Sequence, residues 1–562
     1  MKSQLSIKER GAHFTPADIA EYIAERALSL VELDNGQKVV YVLDPACGDG
    51  ELLVAALAAV RQIGKSVALI GIDTDAETVA AAEARLRPLL REGDSLGLRC
   101  SDFLTCTTVD DRSLFSILKE NCPENEPIPL VDLIVANPPY VRTQVMGSQA
   151  SQALSKKYKL TGKVDLYHAF FINYIKFLKP SGALGVITSN RYLYTKSGSV
   201  VRKCLDQEFD INFIADLGDT KVFSAAVLPA LFFGKPKKNS CTPVPCTRIY
   251  ETGASSNGSA ISSVADILRA EDGLYEINGK TFYKESGHVR DTSNYQEPWV
   301  LASNEQEDWL DTIDSAAYCR IQDVGKVRVG VKTTADNVFI RDDWDSLSDK
   351  TPEDQWIKPL ISSGNTARWK AHDDCHHRIL YPYYSADGKR YVANLSEYPH
   401  MKDYLESYYD QLSGRSYVLK ANRAWYEIWV PQDPSAWTSP KVVFPDISSK
   451  AKFLVDESGS IVDGNCYWIQ VKNDDCDLLY LIAAVANSSL MAKYHSLAFQ
   501  NMLYSGKRRY LTQYVAKYPI PDPSCDASRE LIEYVKTTLH SNSRIDEEHV
   551  DDLVAAAFNV AV

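Results

Sequence analysis

The strand-like run Asp132-Leu-Ile-Val-Ala136 stops at Asn137-Pro138-Pro139-Tyr140, and this junction constrains the chain more than any other stretch. Each proline ring fixes φ near roughly −65°, and Pro138 also restricts Asn137, so the backbone is rigid where the strand ends. Taken alone, the tetrapeptide also reads as a strand closed by a Pro-rich turn. Its chemistry is more particular. A planar amino nitrogen such as the exocyclic amine of adenine is a poor nucleophile, because its lone pair is delocalised into the ring. Acceptors placed on both of its N–H groups pull it toward tetrahedral geometry. The Asn137 side-chain oxygen and the Pro138 carbonyl supply two convergent acceptors, and Tyr140 offers an aromatic face for a base to stack on. The junction suits methylation of such a nitrogen.

A site for a methyl donor lies upstream in the expected order. Val39-Val-Tyr-Val-Leu43 reads as a buried parallel strand, followed by Asp44-Pro-Ala46-Cys47-Gly48-Asp-Gly50 and a helical stretch from Glu51 to Ile63. Glycines at a strand-to-helix turn admit a ligand close to the backbone, and the helix N-terminus favours a carboxylate. The next strand, Val67 to Ile72, ends in Asp73, where an acid accepts hydrogen bonds from ribose hydroxyls. Asp102 follows a further short segment and suits an adenine amine, with Phe103 beside the ring. Singly, each Asp also reads as a helix cap or a loop carboxylate; the ordered series is what points to a nucleoside-bearing donor.

From Ala12 to about Pro236 short apolar strands alternate with amphipathic helices, which predicts a parallel sheet covered on both faces. Between about Asn239 and Ser263 the composition turns to Ser, Thr, Gly, Asn and Pro, which places a linker there. The fold class expected is α/β, with a doubly wound Rossmann-like domain over 1–250 and a linker plus mixed α/β domain over 251–562. At 562 residues two domains are expected. The second is rich in Trp and Tyr, with strand-like pieces at Lys326–Val331, Lys441–Phe444 and Cys466–Gln470, and a helical end from Arg529.

No run of about 20 apolar residues and no apolar leader at the N-terminus is present, so a cytoplasmic protein with no membrane partner is expected. Twelve Cys occur without a CxxC pair, which predicts reduced thiols and no metal centre. Cys47 has no base to support a nucleophilic role and reads as a packing residue.

On these motifs the chain resembles the gamma-class, TaqI-like DNA adenine-N6 methyltransferases, and among them the BseCI-type modification methyltransferases. The likeness extends to Gly11-Ala-His-Phe14-Thr15-Pro16 on the cofactor side, to Asp165–Phe171 and Gly185–Asn190, and to Asp216-Leu-Gly-Asp-Thr-Lys-Val-Phe223. It implies S-adenosyl-L-methionine as cofactor, held by Phe14, Thr15, Asp44, Ala46, Gly48, Asp73, Asp102, Phe103 and Asn137. It implies Asn137, Pro138, Tyr140 and Phe223 as catalytic residues, with Phe223 opposite Tyr140. Double-stranded DNA is the implied partner and ATCGAT the implied target. A cognate restriction endonuclease belongs to such systems, without a stable protein partner being implied.

Val331–Val338, Lys358–Asn365 and Asp463–Tyr467 resemble the family's target-recognition segments. The net charge of −13 does not exclude DNA, because phosphate contact depends on where cations cluster. Candidate DNA contacts are Lys156, Lys157, Lys163, Lys332, Arg415, Arg423, Lys507 and Arg508, each of which also reads as a solvated or loop-stabilising residue. The implied mechanism is extrusion of the adenine followed by direct methyl transfer, with no covalent protein intermediate. Methylation of a protein glutamine or an RNA amine, or an inactive DNA-binding protein, are the rival readings. Pro445-Asp-Ile-Ser-Ser-Lys450 lacks the second acid of a nuclease centre and reads as a strand-end turn.

Overall fold

The computed structural model describes residues 14–109, 127–140, 148–158, 160, 165–223, 227–238, 243–252, 258–372, 377–500 and 507–560. The chain divides into two compact units, Met1–Glu307 and Asp308–Val562.

The N-terminal unit is built on one large sheet. From one edge its strands run Ser95–Cys100, Ser66–Asp73, Val39–Asp44, Val131–Ala136, Leu178–Ser189, Pro229–Pro236, Phe209–Asp216, Val244–Glu251, Lys280–Val289 and Gly273–Ile277. The first five pair in parallel. Pro229–Pro236 then runs antiparallel to both neighbours, which makes the sheet mixed where the alternation of elements predicts a parallel one. The reason is local. The segment 217–228 joins Phe209–Asp216 to Pro229–Pro236 with no helix among its described residues, so the two strands pair as antiparallel neighbours without the helical crossover that parallel ones use.

The packing follows from the apolar runs. Val131–Ala136 is buried at every position, as expected of a strand covered on both faces. Ala17–Leu28 and Glu51–Gln62 lay Ile19, Ile23, Leu52, Leu53, Ala56 and Val60 into one of its two cores. Phe170, Phe171 and Tyr174 of Leu166–Tyr174 fill the other. A single truncation there, such as Leu53→Ala, removes about 2–5 kcal/mol. Asp132, inside the buried strand, is matched by Lys179 at 2.6 Å and accepts from the Tyr41 N–H and Gln37 Nε2. It is a structural charge, paired because an unpaired one would be far more costly to bury.

The compositional shift near 239–263 does not mark a domain boundary. Val244–Glu251 lies in the middle of it and pairs with both Phe209–Asp216 and Lys280–Val289, so the first sheet carries on to residue 302 and the units divide at Glu307/Asp308 instead of near 250. Polar turn residues are shared by linkers and by hairpin connections, which is why composition misplaces the division.

The C-terminal unit is mixed α/β. Gly325–Val329, Cys466–Val471, Lys441–Pro445 and Leu454–Asp456 form one antiparallel sheet, so the three strand-like pieces read from the sequence are neighbours or near neighbours. A second small sheet holds Ile357–Ile361 and Arg378–Leu380. Trp344, Trp356, Trp437 and Trp468 sit in the core between them. Cys476–Asn487, Ser489–Phe499, Asp526–His540 and Glu547–Ala557 supply helices. Among the described residues no single helix is long and apolar enough to cross a membrane, and the described cysteines are free.

Candidate active site

The strand order reverses between Val39–Asp44, from which the chain continues to one side, and Val131–Ala136, from which it continues to the other. Ligands of open α/β sheets bind at such a point, beyond the carboxyl ends of the strands. Both key turns of this chain are there: Asp44 to Gly50 after the first strand, and Asn137 to Tyr140 after the second.

In the first turn Gly48 and Gly50 adopt φ of +50° and +86°, the left-handed region that glycine enters at little cost. The Gly48 N–H donates to Asp73 Oδ2 at 3.0 Å, and the Ala46 N–H donates to Asp44 Oδ1 at 3.1 Å. Phe14 is 52% exposed, and its ring lies 3.8 Å from where a Cβ on Gly48 would stand. An exposed aromatic over a bare backbone turn makes a platform for a flat or apolar part of a ligand. Burial, with Asp73 and Asp49 close by, pushes the Asp44 carboxyl up to about 8. Burial is the main cause and the neighbouring acids add to it, so the neutral form of Asp44 is favoured in the ligand-free protein. Cys47 is buried and its thiol is pushed well above the usual range by that burial, which leaves it a packing residue.

Asp102 is exposed and caps the short helix Phe103–Thr105 by accepting from the Leu104 N–H at 2.9 Å. Phe103 does not present an open face. It is 2% exposed, with Phe177, Phe170 and Tyr174 at ring-centroid distances of 4.9, 5.3 and 6.1 Å. Its apolar ring completes the core under the turn, which outweighs exposure to a ligand.

In the second turn the Asn137 side chain is held from both ends. Its Nδ2 donates to Thr15 Oγ1 at 3.0 Å, and its Oδ1 accepts from the Tyr140 hydroxyl at 2.7 Å. Burial, with Tyr167 and Asp165 nearby, raises Tyr140 well above the usual phenol range, so its hydroxyl keeps its proton and stays a donor. The amide is thereby oriented in advance, with Thr15 linking the cofactor-side segment to Asn137. Pro138, the next residue, is buried. Phe223 is 4% exposed and meets Tyr140 edge to face, at 6.0 Å between centroids and 60° between planes. The two aromatics are therefore in contact with each other and do not stand as two parallel faces.

The candidate cations divide sharply. Lys156 is exposed, whereas Lys157 Nζ donates to the Leu104 carbonyl at 2.8 Å. Lys163 lies outside the described residues. Lys332 and Lys507 are exposed. Arg415 is not available: it is 6% exposed and donates to the carbonyls of Leu412, Thr333 and Trp425 at 3.1, 2.9 and 2.7 Å. Arg423 donates to the carbonyls of Trp429 and Ile428 at 2.6 and 3.3 Å and lies over the Trp429 ring. Both arginines staple loops, because five donors on a planar fork satisfy several orphan carbonyls at once. Arg508 is half-buried and reaches the Ser449 carbonyl at 3.5 Å. Asn365, within a recognition-like segment, closes its own turn through the Ser362 N–H and the Leu360 carbonyl. Asp446, in the stretch with a superficial likeness to a nuclease, pairs with Arg509.

Residues 68–223 match the Eco57I restriction-modification methylase family, and residues 386–520 match the TaqI-like C-terminal specificity domain. The type II methyltransferase M.BanIII of Aneurinibacillus aneurinilyticus is 40% identical over 98% of this chain and 97% of its own length. The chain belongs to the type II restriction-modification methyltransferases. M.BstVI of Geobacillus stearothermophilus, another type II methyltransferase, is 24% identical over the whole chain and 98% of its own length. The type IIL restriction-modification enzyme MmeI, solved in complex with DNA, shares the fold at a TM-score of 0.59 and 13% identity, over 97% of this chain and 73% of its own.

For this methyltransferase the first match spans Asp73, Asn137 and Phe223, and the second spans Arg415, Arg423, Lys507 and Arg508 but not Lys332. Sequence reading assigned no role to Asn190, Tyr194 and Tyr250, whose side chains converge on Asp216 at the root of the Phe223 loop. The signal available was weak: three polar side chains at the ends of otherwise apolar strands and helices.

Proposed function

We propose that this protein is a gamma-class methyltransferase that transfers the methyl group of S-adenosylmethionine to the exocyclic N6 of an adenine in duplex DNA. The observation that carries the reading is the Asn137 amide, fixed between Thr15 and Tyr140 at the strand-order reversal and beside the glycine turn of Asp44 to Gly50. Gly48, Phe14, Asp44 and Asp73 would hold the cofactor, and Asp102 its adenine. When bound, the cofactor supplies an electrophilic methyl carbon, so no nucleophilic side chain is needed.

The rest of the chemistry belongs to the chain. A target adenine turned out of the duplex would place its amine at Asn137 Oδ1, an acceptor oriented before it arrives, and at the Pro138 carbonyl. Its ring takes a stacking position on Tyr140, with Phe223 across from it. Because those two rings touch in this structure, entry of a base requires them to separate. Tyr140 also donates to the same Oδ1, so the incoming amine shares or displaces that hydrogen bond. After transfer the amine is positively charged and its proton passes to solvent.

The C-terminal unit would supply target recognition, with its Lys332 and Lys507, and Lys156 of the N-terminal unit, as phosphate contacts and ATCGAT as the inferred site. The test is nucleoside mass spectrometry of duplex DNA incubated with the protein and S-adenosylmethionine. N6-methyladenine as the product supports the reading, whereas a methylated cytosine, or label on protein or RNA alone, removes it.

A further inference from the structure

Asp216 ends the strand Phe209–Asp216 and is fully buried. Its Oδ1 accepts from Asn190 Nδ2 at 2.9 Å and from the Gly218 N–H at 3.1 Å. Its Oδ2 accepts from the hydroxyls of Tyr194 and Tyr250, both at 2.5 Å. A buried carboxylate needs such company, since charge-assisted hydrogen bonds must replace the water it has lost. The donors come from three places: the helix Arg191–Tyr194 with its N-cap Asn190, the strand Val244–Glu251 and the turn that follows Asp216 itself.

That turn leads to Phe223. Leu217 N–H donates to the Pro229 carbonyl at 2.9 Å, and Asp219 accepts from the Glu251 N–H at 2.8 Å. Gly218 sits at φ +49°, where a Cβ would stand 2.4 Å from the Ile249 carbonyl oxygen, so the backbone there touches its neighbour directly. Lys221 holds φ +56°, which a non-glycine residue rarely adopts. The segment from Asp216 to Lys221 is thus held on several sides, and two residues later Phe223 packs against Tyr140, whose hydroxyl orients Asn137.

We propose that Asp216 is a positioning residue for methyl transfer: by gathering Asn190, Tyr194, Tyr250 and the Gly218 N–H, it sets the turn that presents Phe223 to Tyr140 and to the extruded base. The proposal rests on the adenine-methyltransferase reading above. Asp216 touches no reacting atom, and it acts through Phe223.

The experiment is a double-mutant cycle in the full-length protein, using a duplex carrying the motif that the wild-type enzyme methylates. Asp216→Asn keeps the size of the side chain but exchanges one acceptor oxygen for a donor facing donors. It is expected to lower kcat about 10-fold to 100-fold, the cost of a small misplacement at a reacting centre, with the Kd for S-adenosylmethionine unchanged. Phe223→Ala lowers kcat in the same way, and Asp216→Asn added to Phe223→Ala costs nothing further, because the two act in series. Tyr250→Phe, which removes one donor and little volume, gives the same epistasis with a smaller fall and answers the question if Asp216→Asn does not fold. Multiplying effects, or an unchanged kcat in the folded variants, overturn the proposal and leave Asp216 a stabiliser of the sheet. A wild-type protein that methylates no duplex instead overturns the functional reading, and the proposal with it.

Discussion

The end of the sheet around Asn137 and the arginine-bearing stretch from Arg415 to Arg423 both concentrate polar side chains on irregular backbone, and they use them in opposite ways. Around Asn137 the side chains bond to one another: Thr15 to Asn137 to Tyr140, a short relay of groups fixed by a rigid Pro-Pro turn. Around Arg415 they bond to the backbone, where the guanidiniums of Arg415 and Arg423 collect carbonyls from the surrounding loops. Short side chains on a stiff turn can be held still and still face a ligand. Long cations in a loop-rich module of bulky Trp and Tyr are drawn inward, since their stems bury well and their heads satisfy several carbonyls. Pre-organisation in the first region and scaffolding in the second are the two outcomes.

The contrast is broken most directly at Asn137. If Asn137 accepts from the reacting amine as proposed, Asn137→Ala should lower methyl transfer by about 10²-fold to 10³-fold while the Kd for S-adenosylmethionine stays within a few-fold of wild type. Radiolabel transfer and equilibrium binding measure the two arms, and a parallel loss of both would mean that Asn137 serves chiefly to hold the cofactor. Arg415→Ala should do the reverse of what a DNA-reading arginine would do. It removes the guanidinium from the carbonyls of Leu412, Thr333 and Trp425 and should cost about 3 kcal/mol of stability, read from denaturant unfolding by tryptophan fluorescence, with the DNA affinity of the folded protein unchanged.

A subtler effect concerns Asp44, whose carboxyl is raised to about 8 by burial with Asp73 and Asp49 near it. Between about 4, its unfolded value, and about 8 the folded protein holds a proton that the unfolded chain has lost, so ligand-free stability from this group declines as pH rises through that window. A cationic donor favours the ionised form, so its binding should expel the proton and tighten as pH rises from 6 toward 8. Calorimetric titration with S-adenosylmethionine in buffers of different ionisation enthalpy measures the proton release. Asp44→Asn should abolish it, and a wild-type affinity flat across this range would show that Asp44 does not meet the cationic part of the ligand.

The smallest effect is expected at Lys332, an exposed cation outside the arginine staples. Lys332→Ala should weaken DNA binding a few-fold, equally for all sequences, and reduce the slope of log affinity against log salt by about one. A sequence-selective loss would make it a base reader instead.

These differences also explain how far the sequence could be read. The strand-turn series from Val39 to Tyr140 was legible because each motif couples a local backbone constraint to a chemical group: glycines at positive φ in one turn, two prolines in the other, and an acid at the end of the intervening strand. Tyr140 and Phe223 could be paired in advance by resemblance, yet their edge-to-face contact could not, because it depends on the course of the loop after Asp216. Phe103 shows the limit of reading by residue type, since an aromatic beside an acid serves a core as readily as a ligand. Arg415 and Arg423 of the C-terminal unit show the same limit. Nothing in Arg415 or Arg423 as residues distinguishes a guanidinium that meets a phosphate from one that meets three carbonyls, and only the path of the surrounding loops decides. The division between the units was misplaced because the strand Val244–Glu251 is embedded in polar turn sequence.

The most direct test of the central claim is a base-resolution map of methylation on long duplex DNA after incubation with the protein and S-adenosylmethionine. The account predicts N6-methyladenine at one adenine of a single short motif, present with the wild-type chain and absent with Asn137→Ala. Methylation spread over unrelated sequences, methylation of cytosine, or a map unchanged by Asn137→Ala would contradict it.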